Sequence, residues 1–310
     1  MRAFRSLAPI AAGLALALAV IGSWIRINGA GMTCPDWPLC HGAIVPVLSG
    51  GVVLEWSHRA LALLETFVVL ATIIAGWRVR GQIAGLSPAL RALGVIFAVQ
   101  VFLGGATVHL SNSPLSVMLH WGMAMALLAT LCVVALLALL APPAVAFHAR
   151  LNPPASALRA TVFLAFVTMC IGSYVSSSYA GLACLTFPDC DGTLFGHSPA
   201  QFMQMLHRIG ALAFALTAIG ATISAAQFAS QRARATATAG LVLVAVQIAL
   251  GAANVLLRLP TLLREAHAVN AALTFVCFVI AAAFATLDPL REPVQERAHS
   301  GVSAQTAPSV

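Results

Sequence analysis

A chain of 310 residues with 60% hydrophobic and 8% charged residues, and a mean hydropathy of +0.95, has too little polar surface to coat a water-soluble globule. The net charge of +7 does not point to nucleic acid, because all sixteen basic residues are arginines and most are parcelled out between apolar runs. The composition is that of an all-α integral membrane protein.

Taking about 20 residues per span, eight apolar runs are read at 8–27, 55–77, 89–110, 116–140, 157–178, 202–226, 236–257 and 264–287. The first follows Arg2 and Arg5 and resembles a signal peptide. It is expected to stay in the chain, because Ile21-Gly22-Ser23-Trp24 recurs as Ile171-Gly172-Ser173-Tyr174 at the end of the fifth run. A loop with Cys34 and Cys40 follows, and the second run opens on Glu55-Trp56-Ser57-His58-Arg59. Arg78, Arg80 and Arg91 bracket the next connection. The third run holds Gln100-Val101-Phe102-Leu103-Gly104, and His120 lies early in the fourth. Beyond Arg150 and Arg159 the pattern starts again. Cys184 and Cys190 lie in the matching loop, Gln204-Met205-Leu206-His207-Arg208 opens the sixth run, and Arg232 and Arg234 precede the seventh. That run carries Gln247-Ile248-Ala249-Leu250-Gly251. Arg258 and Arg264 flank the turn before His267.

Four runs per copy make the two halves parallel, predicting two pseudo-symmetric four-helix bundles over residues 1–145 and 146–287, with a polar, disordered tail at 288–310. Arg2, Arg5, Arg78, Arg80, Arg91, Arg150, Arg159, Arg232, Arg234, Arg291 and Arg297 mark their segments as cytoplasmic, termini included. The cysteine loops then face outward, and a bacterial inner membrane is the expected location. On that oxidising side Cys34–Cys40 and Cys184–Cys190 are read as disulfides rather than metal sites, since no histidine recurs beside both pairs. Cys132, Cys170 and Cys277 read as small apolar residues within helices.

His58, His120, His207 and His267 occupy duplicated positions, each within the first two turns of an inward-running helix, so all four are expected at similar depth. Two imidazoles from neighbouring helices can clasp the iron of a planar cofactor, which suits heme better than zinc. Arg59, Arg208, Arg258 and Arg264, with Arg26, depart from the inward pattern and are expected to meet heme propionates. Gln100 and Gly104 share a helix face, as do Gln247 and Gly251; the glutamines offer hydrogen bonds and the glycines close approach to a flat ring or another helix. His41, His109, His148, His197 and His299 lack this duplication and read as surface residues. The halves differ three positions before the first histidine: Glu55 in one, Gln204 in the other. Only Glu55 can exchange a proton, so the first half is expected to perform chemistry and the second to hold a cofactor.

The segments Gly29-Ala30-Gly31-Met32-Thr33-Cys34-Pro35-Asp36-Trp37-Pro38-Leu39-Cys40 and Glu55-Trp56-Ser57-His58-Arg59, with Gln100 to Gly104 and the three later histidines, resemble the heme A synthase family over residues 8–287. The resemblance implies heme b on His207 and His267, heme O substrate or heme A product on His58 and His120, and Glu55 as catalytic carboxylate. The implied reaction oxidises the C8 methyl of heme O to a formyl group. It also implies supply of heme O from heme O synthase, an electron donor, surrounding lipid and no nucleic acid, with homo-oligomerisation left open. A diheme b-type electron-transfer protein accounts for the histidines but not for Glu55 against Gln204. A two-repeat transporter is disfavoured by the histidine depths and by an expected absence of charge at mid-membrane.

Overall fold

The computed structural model describes residues 1–140 and 152–288. The expected junction at 145–146, Arg150 and His148, and the tail beyond Asp288 with Arg291, Arg297 and His299 lie outside the described residues. Among the described residues the long elements are eight α-helices: α1 (Arg2–Ile27), α2 (Gly50–Val79), α3 (Leu86–His109), α4 (Pro114–Leu140), α5 (Pro153–Ser177), α6 (Pro199–Phe228), α7 (Gln231–Leu256) and α8 (Thr261–Leu287). Each is long and apolar enough to cross a membrane. At 24 to 30 residues they run about 36 to 45 Å, against roughly 30 Å of hydrocarbon.

Each helix matches one apolar run, but most begin three to six residues earlier than the run does. The cause is chemical. Polar first turns stay helical where hydropathy no longer marks them, and here they are set by caps: the side chains of Asn152, Ser198 and Ser230 accept from the backbone N–H groups of Ala155, Gln201 and Ala233. Proline stands at the first helical positions of α5 and α6, where its missing N–H costs nothing.

α1 packs on α2 and α4, and α3 on α4 and more lightly on α2; α5 packs on α6 and α8, and α7 on α8 and α6. The two sets join through α4 against α5 and α8, and through α1 against α8. Small residues set these distances. Ala8, Ala11, Ala15 and Ala19 make a buried stripe on α1, as do Ala215, Ala218, Ala221 and Ala225 on α6, letting backbones approach closely where lipid supplies no hydrophobic drive. Half of the apolar window of α4 and of α8 is buried, against 17 to 33% in the other six helices. Two of the four histidines therefore hang from the central helices. Exposed Leu63, Phe67, Phe102, Phe163, Leu212 and Ile223 cover the periphery, as a lipid-facing surface requires. Asp288, the start of the expected tail, is tied down at the base of α7 by the Ser230 hydroxyl at 2.6 Å and the Arg232 guanidinium at 2.5 Å.

Candidate functional site: two histidine pairs in one cavity

The two cysteine loops lie at one end of the bundle and fold alike. Cys34 is bonded to Cys40 and Cys184 to Cys190, each with Cα atoms 4.7 Å apart. Both loops carry a cis proline, at Trp37-Pro38 and Phe187-Pro188, and close through paired backbone hydrogen bonds, Cys40 with Ala43 and Cys190 with Thr193. The second loop is thus a degenerate copy in sequence but not in shape. Arginine clamps both. The Arg59 guanidinium donates to the carbonyls of Cys34 (2.9 Å), Asp36 (2.5 Å) and Leu39, and Arg208 donates to those of Thr186 (2.9 Å), Pro188 (3.1 Å) and Asp189. Both of these arginines, expected to meet propionates, thus also hold loops, and Arg208 keeps a buried Nη2 without a partner among the described residues.

Below the loops lies a cavity of about 1900 Å³ lined by all four duplicated histidines. Pockets for small ligands are typically 300 to 1,000 Å³, so this volume admits two large flat molecules. His58 and His207 each stand eight residues beyond the start of their helix, and His120 and His267 each stand six beyond. The earlier helix starts thus move His58 and His207 into the third turn, a correction to the expected first two, while the match between halves is kept.

Each imidazole lies edge-on against a glycine of the preceding helix. A Cβ built at Gly22, Gly104 or Gly251 would fall 3.2 Å from Cε1 of His58, His120 or His267, and one at Gly172 would fall 2.7 Å from Cε1 of His207. The flat ring that these glycines admit is the histidine itself. Gly22 and Gly172 were legible as a repeated Ile-Gly-Ser but not as histidine seats.

The two pairs are held differently. His207 shares a 3.1 Å hydrogen bond between Nδ1 and the Thr168 carbonyl, which leaves Nε2 free to bind a metal. The Gln247 amide, fixed by Asn270 donating to its oxygen at 2.7 Å, donates to His267 Nε2 at 3.1 Å and so occupies the nitrogen a metal would take, while His267 Nδ1 is buried without a partner among the described residues. The rings of His207 and His267 have centroids 6.5 Å apart. An iron between two imidazole nitrogens, each at about 2 Å, would set ring centres roughly 6 Å apart, so the spacing suits a bis-imidazole metal once Gln247 turns away from His267 Nε2. Among the described residues the Nδ1 atoms of His58 and His120 are buried without a hydrogen-bond partner, as is that of His267. The halves therefore differ at His58 against His207, and at the side-chain oxygen of Gln100, which is also unpartnered, against that of Gln247. Met123 stands where the repeat would require a counterpart of Asn270.

Glu55 is buried at the cavity wall, but its oxygens are engaged. Oε2 accepts from the Cys34 N–H (2.8 Å) and the Thr33 hydroxyl (2.9 Å), and Oε1 pairs with Arg59 at 2.7 Å. Gln204 takes over the shared part, its oxygen accepting from the Cys184 N–H at 2.7 Å and its amide donating to Gly181 at 2.9 Å. Both side chains therefore anchor a loop, and only Glu55 adds a carboxylate bound to an arginine.

Two acids escaped the sequence reading. Glu265, two residues before His267, accepts from Ser23 of α1 at 2.9 Å and so bridges the halves. Glu65, at the middle of α2, is 2% exposed and lies on the cavity wall with neither oxygen partnered, which corrects the expectation of no charged residue at mid-membrane. A single glutamate inside an apolar run leaves hydropathy nearly unchanged, so only its face gives it away. Of the remaining arginines, Arg26 and Arg264 line the cavity and make no hydrogen bond or ion pair among the described residues, whereas Arg258 is exposed in the α7–α8 turn, off the cavity wall. His41, His109 and His197 are exposed.

A family model described as cytochrome oxidase assembly protein matches residues 5–279. The chain is 32% identical over 257 residues to a heme A synthase of Bacillus licheniformis, covering 80% of this chain and 84% of the relative. To a heme A synthase of Bacillus pumilus it is 30% identical over 221 residues, covering 68% and 71%, and to one of Staphylococcus carnosus 26% over 270 residues, covering 82% and 87%.

Proposed function

The chain belongs to the cytochrome oxidase assembly protein family with the heme A synthases, and on that footing we propose how its two histidine pairs divide the work of one reaction. It is a multi-pass membrane oxidoreductase that converts heme O to heme A, oxidising the C8 methyl to a formyl group. The observation that carries this reading is the pair of matched but unequal histidine sites in one cavity.

His207 and His267 are the ligands of a resident heme b. The Thr168 carbonyl presets the His207 ring through Nδ1, as outer partners do in permanent metal sites, and Gln247 steadies the His267 ring in the empty site through the nitrogen it would yield to iron. When bound, that heme supplies one-electron relay chemistry. His58 and His120 receive the substrate. A ligand that must arrive and leave is better served by rings without fixed partners, and Gln100 is free to turn toward either ring or substrate. Arg26 and Arg264 offer unpaired cations to ionised propionates at the loop end, with Arg258 outside the wall and Arg59 and Arg208 acting through the loops.

Taking a methyl group to a formyl group replaces two hydrogens by one oxygen atom, drawn from dioxygen or water as co-substrate, and the carbon gives up electrons and protons. Glu55 is the group proposed to accept a proton: it is the carboxylate nearest His58 in sequence on the same helix face, and it pairs with Arg59 at 2.7 Å. The functional division falls between residues 1–145 and 146–287. The loops face the oxidising side of a bacterial inner membrane and the termini the cytoplasm; heme O synthase delivers substrate, and a separate donor couples to the resident heme.

Co-expression with a heme O producer, followed by extraction and chromatography of the hemes, tests the reading. Heme A should accumulate and the purified chain should carry heme b with heme O or A. Two equivalent b hemes and no heme A would instead mark a diheme electron carrier.

A further inference from the structure

Glu65 lies at the centre of α2, seven residues beyond His58 and therefore on the same helix face, about 10 Å farther from the cysteine loops. It is 2% exposed, neither carboxyl oxygen has a hydrogen-bond partner among the described residues, and it lines the cavity, whose wall also includes Thr66, Phe97 and Gln100. A carboxyl group in such a place is costly unless something enters the cavity to meet it. The matching position of the second half carries no carboxylate. With His58 laid on His207, Glu65 falls on Phe214, which is also buried and lines the same cavity.

The chemistry that differs between the two proposed ligands has the same form. Heme O carries a hydroxyl-bearing farnesyl side chain where heme b has a vinyl group, and that substituent lies on the ring edge away from the propionates. Ionised propionates stay at the loop end, where Arg26 and Arg264 are unpaired, because charge is expensive at mid-membrane. The hydroxyl then points inward along α2 from His58, toward the depth of Glu65. A carboxyl oxygen accepts from a hydroxyl in either protonation state.

We propose that Glu65 is the hydrogen-bond partner of the hydroxyl on the farnesyl-bearing side chain of heme O, and is the residue by which the first site tells substrate from heme b. Phe214 gives the second site the complementary apolar wall, suited to a vinyl group. This assignment rests on the reading of the first pair as the heme O site.

The test uses full-length wild type, Glu65→Leu and Glu65→Gln, each purified from cells that contain both heme b and heme O, with the extracted hemes quantified. The readout is the ratio of heme O plus heme A to heme b, which is independent of folding yield because both hemes come from the same folded chains. A site built to bond a hydroxyl discriminates strongly against partners that cannot. Glu65→Leu should lower the ratio at least about tenfold, with heme b filling the first site, while Glu65→Gln, which keeps an acceptor oxygen, should stay within about threefold of wild type. An unchanged ratio in Glu65→Leu overturns the proposal. So does an unchanged ratio with conversion lost in both variants, which would make Glu65 a proton carrier. If wild type itself carries neither heme O nor heme A, the heme O reading falls as well, and that result is distinct because it appears without any substitution.

Discussion

The two halves of this molecule have the same helices, the same disulfide loops and the same histidine–glycine pairs, yet one is finished and the other is left open. In the second half, Thr168 and Gln247 bond to the histidines and Asn270 holds Gln247, leaving only His267 Nδ1 unmet among the ring nitrogens of the pair that face the protein. In the first, His58, His120 and Gln100 retain unmet polar atoms around the same cavity, and two carboxyl groups, Glu55 and Glu65, stand where the second half has Gln204 and Phe214. Duplication supplied two equivalent scaffolds. The difference between them is a difference in preorganisation, which suits a permanent ligand on one side and an exchanged one on the other.

The largest effect should come from taking a ligand from each side. His207→Ala should empty the second site, with heme b retention falling beyond the roughly 100-fold that even outer partners of a metal ligand are worth, and turnover lost with it. His58→Ala should leave heme b in place and remove heme O and A. Heme extraction and the b-type absorbance band separate the two, and equal losses in both variants would break the division between halves.

Glu55 is next in size. Glu55→Gln keeps the acceptor for the Cys34 N–H, as Gln204 does for Cys184, but removes the proton acceptor. Turnover should drop roughly 100- to 10,000-fold while the loop disulfide and heme content are unchanged. Glu55→Ala should lose both turnover and loop anchorage. Full turnover in Glu55→Gln would reduce Glu55 to the anchoring role its counterpart already performs.

A smaller effect tests preorganisation itself. Asn270→Ala frees the Gln247 amide beside His267 and should weaken heme b retention by roughly 10- to 100-fold, measured by transfer of heme to an acceptor protein. Met123→Asn places the same residue in the first half. It should slow release of heme A from that site while leaving the second site unaltered.

These contrasts were unequally legible in the sequence. Periodicity and the repeat exposed eight helices, two loops and four histidines, because each is a local pattern recurring at a fixed offset. Gln204 against Glu55 was visible for the same reason. What it means was not, since the shared bond to a cysteine N–H depends on how the loop folds back on the helix. Glu65 is one polar residue in an apolar run, and its importance comes from an inward-facing position that needs the neighbouring helices. That Arg59 and Arg208 also hold the loop carbonyls was not legible, because those carbonyls carry no sequence signature of their own.

The smallest effect lies in the loops, where the halves solve one problem with different chemistry. In the first loop Asp36 alone accepts from two backbone groups, the N–H of His41 and of Gly42, both at 2.7 Å. In the second the work is divided: the Thr186 hydroxyl accepts from Asp191 N–H and Asp189 from Gly192 N–H, again both at 2.7 Å. The Gly42 N–H holds the Asp36 carboxyl below its ordinary value of 3.8, and the Gly192 N–H does the same for Asp189. A depressed folded pKa means that the ionised form stabilises the loop above the unfolded value and that this contribution fades as pH falls through the folded one. Both residues are half-buried in surface loops and their carboxylates meet solvent, so the effect is local and screened. Hydrogen exchange followed residue by residue into acid should show protection lost severalfold at His41, Gly42 and Gly192, relative to the same groups in Asp36→Asn and Asp189→Asn. Asp191, whose acceptor is a hydroxyl that does not titrate, should keep its protection throughout. Equal loss at all four would mean that the loops open as wholes and that the carboxylates do not set their acid response.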